Sequence, residues 1–190
     1  MKRHLLTAAL IAAALPAHAA LAPGQAAPDF QLQASQAGKA SPFSLKQALK
    51  QGPVVVYFYP AAFTNGCSIQ AHLFAVNQEK FKAAGATVIG VSLDSIERLN
   101  AFSADPDACA GKVPVASDAD GKTAKAYDVA VREAQAGRKD NRGEALEHGL
   151  AERQTFVVAT DGKISATIGG VAPEANVAKA LERVQQLAAK

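Results

Sequence analysis

The feature that most constrains the fold is "PVVVYFYP", Pro53 to Pro60, an unbroken run of β-branched and aromatic residues between two prolines. A half-exposed strand would alternate apolar with polar residues; a short run without alternation suits a strand buried on both faces, at the centre of a parallel or mixed sheet. The prolines bound it, because a proline nitrogen has no hydrogen to give to a strand ladder. A strand of this kind must be covered on both sides, so the rest of the chain has to supply helices to two faces. With 190 residues, 49% of them hydrophobic, there is enough chain for one core of that design and too little for two.

The flanking sequence supplies those layers. Ahead of the run, "LAPGQAAPDFQLQASQAGKASPFSLKQALKQG" reads as a loop and edge strands, then a short helix from Ser44 to Lys50 with Ser44 as its cap. After it, Ile69, Leu73, Phe74, Val76 and Phe81 recur near helical spacing from Cys67 to Ala84, and Gly85 closes the segment as a C-terminal cap would. "ATVIGVSLD" is a second buried strand, and Ile96, Leu99 and Phe102 define a helix from Ser95 that ends before Pro106. A short strand in "KVPVASDADG" and a helix over Thr123–Tyr127 follow. The polar stretch 131–152, with Arg138, Lys139, Asp140, Asn141 and Arg142, reads as a solvated excursion. A hairpin turning at Asp161-Gly162, with strands near Thr155–Ala159 and Ile164–Ile168, and an amphipathic helix through Val177, Leu181, Val184 and Leu187 complete the chain. The expected class is α/β with a mixed central sheet flanked by helices, and the order of elements is that of a thioredoxin-like fold.

The N-terminus reads as an export signal. Lys2 and Arg3 precede an apolar stretch from Leu5 to Leu15, and Ala17-His18-Ala19 is the small-x-small pattern of a signal-peptidase site, so cleavage is placed after Ala19 and the mature domain at 20–190. An apolar run of about 11 residues is well short of the roughly 20 that cross a bilayer, so no stable membrane association is expected. The expected location is the periplasm, where oxidising conditions let disulfides persist. Net charge is only +3 with the lysines and arginines scattered, so no nucleic-acid footprint is seen.

Export changes the reading of Cys67 and Cys109, the only two cysteines. A structural disulfide is the simplest use of such a pair. Cys67, however, follows the carboxyl end of the buried strand and opens the next helix, where ligand sites of open α/β sheets lie and where unpaired N–H groups and the helix dipole favour a thiolate. Thr64, three residues earlier, can place a hydroxyl on the same side, able to donate to the thiolate and to accept from a protonated substrate oxygen. Pro60 walls one side with carbon, and Asn65-Gly66 permits a tight turn. A buried apolar cysteine beside a capping threonine remains the plainer alternative.

Pro60, Thr64 and Cys67 reproduce the Pro-x-x-x-Thr-x-x-Cys pattern of the peroxiredoxins, "VVVYFYPAAFT" and "ATVIGVSLDS" resemble the strands around it, and "RQTFVVATDGKI" is similar to that family's Arg-x-Thr-Phe-Val-Ile segment. The likeness runs from about Ala27 to the last helix and is greatest to the peroxiredoxin Q branch. It implies a thiol-dependent peroxidase in which Cys67 attacks a hydroperoxide and becomes a sulfenic acid, with Arg153, Thr64 and the Cys67 backbone N–H as donors and no metal or organic cofactor. The expected partners are a hydroperoxide and a thioredoxin-like or other thiol reductant, with the assembly left open between monomer and homodimer. Two positions depart from the pattern. His72 stands where that branch often has a second cysteine, and Gln70 stands where a glutamate is common, an amide still able to bond Arg153. Some members of the family resolve the sulfenic acid with a cysteine in the region of Cys109, which makes Cys109 the expected resolving residue and recycling by an external thiol the alternative. The rival functions are a thiol-disulfide exchanger, which generally needs Cys-x-x-Cys, and a binding protein stapled by Cys67–Cys109.

Overall fold

The computed structural model describes residues 20–189, so the expected leader, 1–19, lies outside the described residues. The proline-bounded run forms β3 (Val54–Phe58), every residue of it buried. Preceding it are the antiparallel pair β1 (Gln31–Gln36) and β2 (Lys39–Ser44) and one turn of helix, α1 (Leu45–Ala48), whose cap Ser44 accepts from the Gln47 N–H at 3.3 Å. After β3 come α2 (Asn65–Val76), α3 (Gln78–Ala83), β4 (Thr87–Ser92), α4 (Ile96–Ala104), β5 (Val115–Ser117) and α5 (Lys122–Ala126). The chain closes with β6 (Val131–Arg132), β7 (Leu150–Ala151), β8 (Gln154–Val158), β9 (Ile164–Gly169) and α6 (Pro173–Ala188).

Seven strands make one sheet in the order β2-β1-β5-β4-β3-β8-β9, and β6 pairs only with β7. Strands β3, β4 and β5 are parallel neighbours, while β8 runs antiparallel to β3 with Val56 opposite Phe156, so the sheet is mixed, as expected. Alternation along β3 divides the core. Val55 and Tyr57, with Tyr59 beyond the strand, join Phe74 of α2, Phe102 of α4 and Val177 of α6 on one face; Val54, Val56 and Phe58 join Leu45 of α1 and Ala124 and Tyr127 at α5 on the other. Full burial of each such side chain contributes about 1.5–3 kcal/mol, which makes β3 the most committed segment of the fold. Gly90 of β4 lets the tyrosines pack: a Cβ there would lie 2.6 Å from the Tyr57 ring and 3.0 Å from that of Tyr59.

Two local expectations change. The single helix expected from Cys67 to Ala84 is two, broken at Asn77, whose backbone N–H and side-chain amide both donate to the Leu73 carbonyl, at 3.2 and 2.9 Å. A side chain that bonds the preceding turn competes with the regular ladder. Gly85 then turns the chain at φ +70°, as its capping role requires. The stretch 131–152 is not the plain solvated loop expected: β6 and β7 tie its ends, Leu146 and Leu150 bury against Ala61, and Asp140 is buried.

Candidate active site

The loop from Pro60 to Thr64 carries the chain off the end of β3 and into α2, with Thr64 at the N-cap and Cys67 in the first turn. Cys67 is 2% exposed. Arg153, between β7 and β8, donates from Nη2 to Cys67 Sγ at 3.4 Å and from Nη1 to Gln70 Oε1. One guanidinium thus bridges the thiol and the amide one turn later on α2. Gln70 stays fixed because its own amide donates to Asn176 Oδ1 at 2.9 Å, which also accepts from Thr155 Oγ1 at 2.7 Å. Asn176 donates in turn to the Ile168 carbonyl at 3.1 Å, so the whole polar chain behind the arginine is paired although buried. Gly66 makes room: a Cβ there would lie 3.1 Å from Arg153 Nη2.

The sequence reading of Thr64 is corrected in one respect. Its hydroxyl donates to the Ala61 carbonyl at 2.9 Å. With its only proton committed, the oxygen can accept from an incoming O–H but cannot donate to the thiolate. The Cys67 N–H, expected as a free donor, is already bonded to the Thr64 carbonyl at 3.0 Å. Pro60 is half-buried at the head of the loop.

Cys109 belongs to the same apolar cluster as Cys67, and both thiols are free. The Asp105–Lys112 segment that carries it is a series of turns, in which Ala108 and Ala110 N–H both bond the Asp105 carbonyl, and Cys109 is wholly buried. Burial, and after it the Asp105 carboxylate, pushes the Cys109 thiol far above its ordinary range. Tyr57 shares the buried cluster of both cysteines: burial first, then Cys109 and Cys67, push its phenol up, and Arg153 pulls it down.

Sequence reasoning missed a second group around the same loop. Phe63, just before Thr64, holds φ +60°, a conformation that costs a bulky residue about 1–3 kcal/mol and persists only where its surroundings impose it. The surroundings are polar and specific. Asp94, wholly buried, accepts from the Ala62 N–H and from Ser92 Oγ, both at 2.8 Å. Arg98 lies 2.9 Å from Asp94, donates to the Ala62 carbonyl at 3.0 Å and to Asp140 at 2.6 Å, and pairs with Glu144 at 2.9 Å. The Asn141 N–H donates to the Phe63 carbonyl at 3.0 Å, and Arg142 stacks 3.3 Å from the centre of the Phe63 ring. The only sequence signal for this was the charge density of 138–144, which a solvated loop would share.

Comparison with known proteins identifies the family. Residues 23–167 match the AhpC/TSA family. A Mycobacterium tuberculosis protein carrying the peroxiredoxin name is 35% identical over 159 residues, 84% of this chain and 92% of its own. Chloroplastic peroxiredoxin Q of Sedum lineare is 50% identical over 80 residues, 42% of this chain and 41% of its own. The crystal structure of peroxidoxin BcpB from Mycobacterium tuberculosis superposes with a TM-score of 0.73 at 28% identity, covering 88% of this chain and 98% of the other. A family match over most of the chain, relatives that carry the peroxiredoxin name and a thioredoxin-like sheet with a cysteine in the first turn of a helix lead to one conclusion: the chain belongs to the AhpC/TSA family of peroxiredoxins, the thiol-dependent peroxidases.

Proposed function

We propose that Cys67 is the peroxidatic nucleophile, that its substrates are hydrogen peroxide and small organic hydroperoxides, and that Cys109 resolves the oxidised form. The observation that carries this reading is the Arg153 guanidinium, 3.4 Å from Cys67 Sγ and fixed from behind by Gln70. A permanent, forked cation favours the thiolate and can hold a peroxide oxygen as negative charge grows on it. The thiolate attacks one oxygen and the O–O bond breaks. Its electron pair leaves with the other oxygen, which takes a proton to become water or an alcohol, and Cys67 is left as sulfenic acid. Thr64, accepting from the peroxide O–H, orients it for that attack.

Resolution has Cys109 attack the sulfenic sulfur, expelling water and closing a disulfide that an external thiol then reduces. The two Cα atoms must come within about 4.4–6.8 Å, so the first turn of α2 and the Cys109 turns open together. The turn segment, without a helix or strand ladder of its own, is the less costly one to open. Export by a leader cleaved after Ala19 would place this chemistry in the periplasm, with a thioredoxin-like or other thiol as reductant.

One equivalent of hydrogen peroxide added to the reduced mature protein tests the reading by thiol titration and intact mass. Both thiols should disappear with the loss of two hydrogens, and Cys67→Ser should be inert. A Cys109→Ser protein that still turned over with a dithiol would select recycling by an external thiol in place of Cys109.

A further inference from the structure

The strained loop before Thr64 is gripped from two directions. From the sheet side, Asp94 takes the Ala62 N–H and Arg98 takes the Ala62 carbonyl, so that both ends of this residue's polar backbone are bound by side chains, one from the β4–α4 connection and one from the first turn of α4. From the other side, the tight turn 139–145 presents the Asn141 N–H to the Phe63 carbonyl and the Asn141 side chain to Asn65 Oδ1, at 3.0 and 2.8 Å. Asp140 joins the two grips. Its Oδ2 accepts from Arg98 at 2.6 Å, while its Oδ1 accepts the N–H groups of Arg142 and Glu144 at 2.8 and 2.9 Å, which shapes the turn. The Asp140 carboxylate bonds Arg98 and the 142–144 backbone rather than the loop itself, and so fixes the two groups that bond the loop.

We propose that Asp140, acting through Arg98 and Asn141, is a positioning residue for peroxide reduction: it holds Phe63 in its left-handed conformation and so sets the Thr64 hydroxyl where it accepts the peroxide O–H. The inference rests on the peroxidase reading above and names a part of its machinery outside the Pro-x-x-x-Thr-x-x-Cys segment. Thr64 sits one residue beyond the gripped peptide, and its only proton is tied to Ala61, inside the same loop. A loop that relaxed toward ordinary φ at Phe63 would therefore displace the hydroxyl. It would leave the Arg153–Cys67 contact, which is anchored from α2 and α6, in place. Two reactions of one sulfur then come apart. Oxidation by peroxide needs Thr64, and alkylation by iodoacetamide needs only an accessible thiolate.

Asp140→Asn keeps the shape and one acceptor oxygen and removes the charge that Arg98 meets. Displacements of about 1 Å at a reacting centre cost up to about 100-fold, so hydrogen peroxide should oxidise this variant about 10-fold more slowly or worse in stopped flow. Alkylation of Cys67, located by peptide mass, should not fall. Asn141→Ala, a surface change that the fold tolerates, should show the same split on a smaller scale, about threefold, as expected for one lost hydrogen bond. In a Thr64→Val background, Asp140→Asn should have no further effect on oxidation. The proposal is overturned if Asp140→Asn is oxidised at the wild-type rate, if oxidation and alkylation fall by one common factor, or if the Asp140→Asn loss adds in full to that of Thr64→Val. Failure of wild type itself to consume peroxide would instead end the peroxidase reading, so the two are told apart.

Discussion

Gly66 shows how finely a single residue can separate stability from activity here. It lies inside α2, where alanine is the better helix former by about 0.5–1 kcal/mol, so Gly66→Ala should melt no lower than wild type. The new methyl would meet Arg153 Nη2 at 3.1 Å, and the far end of a flexible arginine can move aside at little cost in folding. It would, however, move off the Cys67 sulfur. The expected outcome is a peroxide rate constant reduced about 10-fold or more with an unchanged or raised melting temperature, since loss of one oriented donor costs about 100- to 1000-fold in comparable sites. Cys67, Thr64 and Pro60 were legible in the sequence because they occupy one loop and one helical turn, where spacing fixes geometry. Arg153 came only from the resemblance. The Gln70–Asn176–Thr155 chain behind it was not legible, because its members come from α2, α6 and β8, and nothing local in the sequence brings those elements together.

At the level of elements, β3 was readable from composition alone, and the structure gives it five buried residues flanked on both sides by other strands. One of them carries a feature that periodicity does not reveal: the Tyr57 hydroxyl is buried without a hydrogen-bond partner among the described residues. An unpaired buried hydroxyl costs about 1–3 kcal/mol, so Tyr57→Phe should leave stability unchanged or raise it by about 1 kcal/mol, read from the urea midpoint. A clear loss would mean that the hydroxyl has a partner in solution. Boundaries were less legible than elements. The break between α2 and α3 depends on Asn77 choosing a carbonyl behind it, a competition that apolar spacing cannot register. The turn joining β1 to β2 uses positive φ at Ala37 as well as Gly38, and alanine carries no sequence signal for that conformation.

Across the whole molecule, strand order depends on long-range pairing, and the stretch 131–152 was the part least readable. Its charges fit a solvated loop as well as they fit the ion-pair network around Arg98. His148 in that stretch ties it to the sheet, with Nε2 2.9 Å from Asp94 and Nδ1 2.8 Å from the Gly149 carbonyl. Both ring nitrogens face acceptors, which only the imidazolium satisfies. The Asp94 hydrogen bond raises the His148 pKa, burial opposes it, and the Gly149 carbonyl adds to the rise. Burial raises Asp94, but His148, the Ala62 N–H and Ser92 together hold it below the ordinary carboxylate range. The stabilisation from His148 is therefore complete below its ordinary pKa of about 6.5 and is lost as pH climbs through the raised folded value. Urea midpoints should fall as pH rises above about 6.5 in wild type, and more shallowly in His148→Gln. Equal slopes would remove His148 from the account. The central claim, that Cys67 is the atom a hydroperoxide meets first, is tested most directly by trapping the product. Cys109→Ser protein is given one equivalent of hydrogen peroxide in the presence of dimedone, and the adduct is located by peptide mass. The account predicts a dimedone adduct on Cys67, formed from the sulfenic acid that peroxide leaves there, and none in the Cys67→Ser protein. Peroxide consumed at the wild-type rate by Cys67→Ser, or an unlabelled Cys67 after the peroxide is gone, would contradict it.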